Sequence, residues 1–99
     1  MIKIDFSSSK RVVVKLGSSI VTKEGGGINE LQLAHIVEQI AELVRQKKEV
    51  VLVSSGAIAA GLKKLGYKER PHQLSELRAA ASVGQMVLAQ IYEQLFSKA

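Results

Sequence analysis

Two stretches of the chain join an apolar, β-branched run to glycine and hydroxyl residues, and one of them adds a lysine. They are Arg11-Val12-Val13-Val14-Lys15-Leu16-Gly17-Ser18-Ser19 and Val50-Val51-Leu52-Val53-Ser54-Ser55-Gly56-Ala57. Where a strand passes into a helix through a tight turn, the first helical N–H groups have no intrahelical acceptor. They also carry the positive end of the helix dipole, so the turn favours an anion. A lysine at a strand end contributes a mobile point charge able to reach a phosphate oxygen. Lys15 with Gly17 and Ser18, and Ser55 with Gly56 and Ala57, therefore read as two halves of one anion site. A plainer reading stands beside it: Ser54 or Ser55 caps the next helix, Gly56 permits the turn, and Lys15 is a solvated surface residue. The repetition of the design tips the balance toward a shared site.

The side chains that are scarce narrow the chemistry further. Nucleophilic serine catalysis needs a histidine and a carboxylate beside the serine, and the chain offers only His35 and His72. His35 lies beside an apolar helical stripe and His72 in a polar connector, so both read as surface residues. Asp5 is the only aspartate and stands outside every motif, and no histidine or carboxylate cluster has metal-ligand spacing, so no metal site is expected. There is no cysteine, hence no thiolate nucleophile and no disulfide framework. A G-x-x-x-x-G-K-[ST] phosphate loop is missing, since Lys15 precedes its glycine. Gly25-Gly26-Gly27 fails the G-x-G-x-x-G pattern and reads as a mobile turn.

Elements that position these residues follow from periodicity. Residues 1–10 alternate weakly and pass into Ser7-Ser8-Ser9, an N-terminal extension with an optional short strand. Val12 to Leu16 is a continuous apolar strand of the kind covered on both faces in a parallel sheet. Asn29 is placed to cap a helix in a capping box with Gln32, and the helix stripe is Leu33, Ile36, Val37, Ile40, Ala41 and Val44. A strand from Glu49 to Val53 follows. Strand, helix, strand implies a right-handed crossover and parallel strands, with both turns at the same sheet end, where ligands of open α/β sheets bind. A second helix is expected from Ala57 to Leu65 with Ile58, Leu62 and Leu65 on its inner side, stopped by Gly66. After a polar connector containing Pro71, Ser75 is a candidate N-cap for a long helix to Leu95. Its face is Leu77, Ala80, Ala81, Gly84, Leu88, Ile91 and Leu95, and the small residues in its middle imply close approach of another backbone.

Size and charge set the outer limits. Ninety-nine residues, 46% apolar, make one small domain. The N-terminus lacks an apolar core for a signal peptide, and no run approaches the roughly 18 residues of a membrane span. The net charge of +5 is dispersed, with Lys47-Lys48 and Lys63-Lys64 where helices should end and no aromatic residues interleaved to stack bases. A noncatalytic basic module for nucleic acid or a protein partner remains the alternative function.

The stretches Val13-Val14-Lys15-Leu16-Gly17-Ser18-Ser19, Ser54-Ser55-Gly56-Ala57-Ile58-Ala59-Ala60-Gly61 and Ala79-Ala80-Ala81-Ser82-Val83-Gly84-Gln85 resemble, in order and spacing, the amino acid kinase family. Within it, they are most similar to the members that phosphorylate L-glutamate. The resemblance covers nearly everything after Lys10. It implies a three-layer α/β/α fold with a mainly parallel sheet, of which residues 11–99 are an N-terminal portion in βαβα order. It implies ATP-dependent transfer to the γ-carboxylate of L-glutamate, with Mg2+ as the nucleotide's counter-ion, in a cytoplasmic homo-oligomer. By the same resemblance, Lys15, Gly17 and Ser18 hold ATP phosphate and the transferring group, and Ser55, Gly56 and Ala57 bind the amino acid. Gly84 and Gln85 are expected to shape the same pocket. Family members continue through further strands that supply an aspartate, an asparagine, a second lysine and the base pocket. These are expected beyond Ala99, so the chain alone is expected to be inactive. Another member of the family is the nearer alternative.

Overall fold

The computed structural model describes residues 10–99, so the expected strand at Ile2, Ile4 and Phe6 lies outside the described residues. The order is β1 (Arg11–Leu16), α1 (Ser18–Val21), α2 (Glu30–Arg45), β2 (Glu49–Ser54), α3 (Ala57–Leu65) and α4 (Leu74–Lys98). β1 and β2 pair in parallel, from Arg11 opposite Glu49 to Leu16 opposite Ser54. Arg11 and Glu49 meet at 2.9 Å at the start of the ladder, both well exposed, so the pair marks the register more than it stabilises it.

Helix α2 begins as its sequence demands. The Asn29 side chain accepts the Gln32 N–H at 3.2 Å. The other half of a capping box is not needed, because the Asn29 N–H already donates to the Val21 carbonyl at 2.8 Å. At its far end Lys47 takes the left-handed conformation, φ 65°, and the N–H groups of Lys47 and Lys48 close on Val44 and Leu43. Gly66 does the same for α3 at φ 83°, as expected, with Tyr67 N–H reaching back to Leu62.

Leu33, Val37 and Ile40 of α2 are buried together with Val12, Leu16, Ala60, Ala80 and Leu88. Val44, expected on this stripe, is 54% exposed, because it lies in the last turn of the helix, past the sheet residues that cover the others. Val21 is fully buried although it belongs to a four-residue helix too short to show a period. The glycine turn that follows is a hydrogen-bonded loop: Thr22 and Ile28 form an antiparallel bridge, and Gly25, Gly26 and Gly27 all have positive φ.

Three further expectations are corrected. β1, expected to be covered on both faces, is covered on one among the described residues, and β2 beside it likewise. Val12, Val14, Leu16 and Leu52 belong to the core side, whereas Val13, Val51 and Val53 are 54%, 46% and 48% exposed on the other. Ser75 is not the cap of α4, which starts one residue earlier at Leu74 after Gln73 and has no side-chain cap. The buried side of α3 is Ala60 and Gly61, not Leu65, which is 48% exposed. The reason is the approach of α4. A Cβ on Gly61 would collide with the Ala80 carbonyl, and one on Gly84 with the Ala57 carbonyl, so the helices touch backbone to backbone along their small residues. That is the close approach expected of α4. With large side chains there, helix axes keep a distance of about 8–10 Å.

Candidate functional site

The β2–α3 turn is held from several directions. Ser55 N–H donates to the Leu16 carbonyl at 2.9 Å, which ties the turn to the end of β1. Gly56 is the N-cap of α3 with φ 100°, and a Cβ there would sit 2.7 Å from Val21 Cγ1. Both the dihedral and the space therefore require glycine. Neither serine caps the helix. Ser54 Oγ instead donates to the Ser55 carbonyl at 3.0 Å and lies 2.7 Å from Tyr92 Oη. The first N–H groups of α3 thus face the end of the sheet without a side-chain cap, the condition that suits an anion.

The β1–α1 turn is built differently. Gly17 caps the one-turn α1 at φ −75°, and its carbonyl accepts the N–H groups of Ile20 at 3.1 Å and Val21 at 3.2 Å. Any L-residue adopts that φ, and a Cβ on Gly17 would meet nothing within 4 Å. The fold does not ask for glycine at this position, so the bare backbone leaves room for something outside the described chain, such as a phosphate group.

Ser18 from the first turn and Ser55, Gly56 and Ala57 from the second line one open concavity of about 370 Å³, together with Ile58 and Ala59. Arg70, in the connector between α3 and α4, also lines it. Arg70 has no acidic partner among the described residues. Sequence reasoning treated this connector only as polar. The available signal was a cation directly before Pro71, whose fixed φ stiffens the loop.

The remaining expected residues are placed as follows. Lys15 pairs with Val53 in the ladder and is exposed, and it does not line the concavity. It shares the uncovered sheet face with Val13, since alternate residues of a strand point to opposite sides. Gly84 belongs to the α3–α4 contact, and Gln85 lines a separate recess with Ser54 and Tyr92 rather than the concavity. His35 and His72 are exposed. No cluster of three or more His, Asp or Glu among the described residues has the arrangement of a metal site. Among the described helices, none is long and apolar enough to cross a membrane.

A parallel β-α-β unit with two glycine-serine turns meeting at one end of the sheet defines the class, and residues 10–99 match the amino acid kinase family. The chain belongs to that family. It is 52% identical over 94 residues to the glutamate 5-kinase of Methylococcus capsulatus, covering 95% of this chain and 25% of that protein. It is 54% identical over 92 residues to the glutamate 5-kinases of Burkholderia cenocepacia and Burkholderia vietnamiensis, covering 93% of this chain and 25% of each of those proteins. The chain thus spans a quarter of the length of these relatives.

Proposed function

We propose that the chain is the amino-terminal part of a kinase that uses ATP to phosphorylate the γ-carboxylate of L-glutamate, giving glutamyl 5-phosphate, the first step of proline biosynthesis. The observation that carries this reading is the concavity that gathers Ser18 from one turn and Ser55, Gly56 and Ala57 from the other, in a chain 52% identical to a glutamate 5-kinase.

The chemistry asks for little beyond such a site. The γ-carboxylate is ionised near neutral pH, so no general base is required. One of its oxygens attacks the γ-phosphorus of ATP in line, the bond to the bridging oxygen breaks, and ADP leaves with that electron pair. Two anions must be brought together, and preorganised N–H donors with a cation offset their repulsion. Removing one such donor costs about 3 kcal/mol of transition-state stabilisation in comparable sites. Ser55 and the N–H groups of Gly56 and Ala57 hold the amino acid. Gly17 and Ser18 would approach the nucleotide phosphates, and Lys15, at the same end of the sheet, would meet the transferring group. Mg2+ enters bound to the nucleotide as its counter-ion.

One feature of the fold supports a larger domain. The bare Val13, Val51 and Val53 face is the surface that a second helical layer would cover in a three-layer α/β/α domain, with residues 11–99 supplying its first portion. Further strands would bring the nucleotide base pocket. The complete enzyme is proposed to act as a cytoplasmic homo-oligomer.

The test is ADP release coupled to NADH oxidation, with glutamate present. The full-length kinase should turn over, its Lys15→Ala variant should lose at least about tenfold in kcat, and residues 1–99 alone should give no turnover. Activity of the 99-residue chain by itself, or an unchanged kcat in the lysine variant, would contradict this assignment.

A further inference from the structure

Ser54 stands one residue before the substrate turn and has a single hydroxyl proton. That proton is directed at the Ser55 carbonyl, 3.0 Å away. The 2.7 Å contact between Ser54 Oγ and Tyr92 Oη therefore has Tyr92 as its donor. The result is a directed relay, from the Tyr92 O–H to Ser54 Oγ and from the Ser54 O–H to the Ser55 oxygen, in which each bond polarises the next.

Its end point matters because the Ser55 carbonyl and the Gly56 N–H belong to one planar trans peptide and point in opposite directions. Holding the oxygen fixes the aim of the N–H. The Ser55 N–H, on the other side of the same residue, is already tied to Leu16 at 2.9 Å. Gly56 has no Cβ and no side-chain cap, and its own carbonyl accepts the Ala60 N–H at 2.9 Å, which leaves the preceding peptide, with the Gly56 N–H, to be fixed from the Ser55 side. The relay supplies the restraint that glycine lacks. Tyr92 is well placed to do so, since it is half-buried on rigid α4, packed against the core and near Phe96 at a ring separation of 6.5 Å.

We propose that Tyr92 is a positioning residue for the amino acid substrate: through Ser54 it aims the Gly56 N–H into the concavity where the substrate carboxylate binds. The inference rests on the function proposed above. In the full-length kinase, Tyr92→Phe keeps the ring and removes only the donor, and Ser54→Ala removes the middle of the relay. Each should lower kcat/KM for glutamate by about 5- to 10-fold, the value of one hydrogen bond. KM for ATP should stay within about twofold of the parent, a split that general loosening of the fold would not produce. The double variant should lose no more than either single one, because both break the same relay. Losses that multiply, an equal rise in KM for ATP, or an unchanged kcat/KM in Tyr92→Phe would overturn the proposal while leaving the kinase assignment intact. Absence of glutamate-dependent turnover in the parent would remove both.

Discussion

The two glycine-serine turns look alike in sequence and are held in opposite ways. At the β2–α3 turn, a Cβ on Gly56 would strike Val21, the Ser55 N–H is bonded across the sheet, and Ser54 is hydrogen-bonded to Tyr92. At the β1–α1 turn, Gly17 has an ordinary φ and empty space beside it, and Ser18 and Ser19 are exposed. One glycine is demanded by the fold, and the other is demanded by nothing in the described chain. The function proposed above would have use for both: a rigid side to fix the small acceptor, and an open side to let a large nucleotide approach and leave.

Substituting each glycine separates these roles. Gly56→Ala should destabilise the chain most, by about 2–4 kcal/mol, combining a left-handed alanine with overlap onto Val21. Urea denaturation of residues 1–99 measures it, and a loss under about 1 kcal/mol would show that the turn relaxes freely. Gly17→Ala should leave that stability within about 0.5 kcal/mol, as expected for a surface change. In the full-length kinase the same substitution should still raise KM for ATP by about tenfold if the bare backbone faces phosphate. Normal nucleotide binding in that variant would erase the contrast between the turns. The smallest effect belongs to Arg70→Gln, where an exposed cation contributes to the wall of the concavity. KM for glutamate should rise by about three- to fivefold with kcat preserved, and the rise should shrink in high salt as screening removes the charge's reach. A salt-independent change would assign Arg70 a packing role instead.

Much of this arrangement was legible in advance because it rests on local rules. The boundaries of α3, the Asn29 cap, the Gly66 stop and the parallel pairing all follow from residue type and spacing. What escaped were effects decided by a neighbour distant in sequence. Val21, in a helix too short to show a period, is a core residue because the Gly56 turn closes on it. Leu65 looked like the inner face of α3 and is exposed, because Gly61 and Gly84 draw the α3–α4 contact to the small residues. Val13 read as a strand residue covered on both faces, and among the described residues its side of the sheet is bare. Ser75 was outcompeted as a cap because the helix begins at Leu74, one residue before it.

The motif Ser54-Ser55-Gly56-Ala57 and its partner Lys15-Leu16-Gly17-Ser18 were determined by the sequence itself, as residue types and spacings whose turn chemistry is local. Family membership extends over residues 10–99, which include both stretches. Only the tertiary structure decided how each turn is held: Arg70 lines the concavity from a connector, Tyr92 reaches Ser54 from 38 residues away, and Lys15 is not among the residues lining the concavity. The physical reason is that side-chain direction and contact depend on how helices and strands pack, and packing is set by close approach between segments that share no local signal.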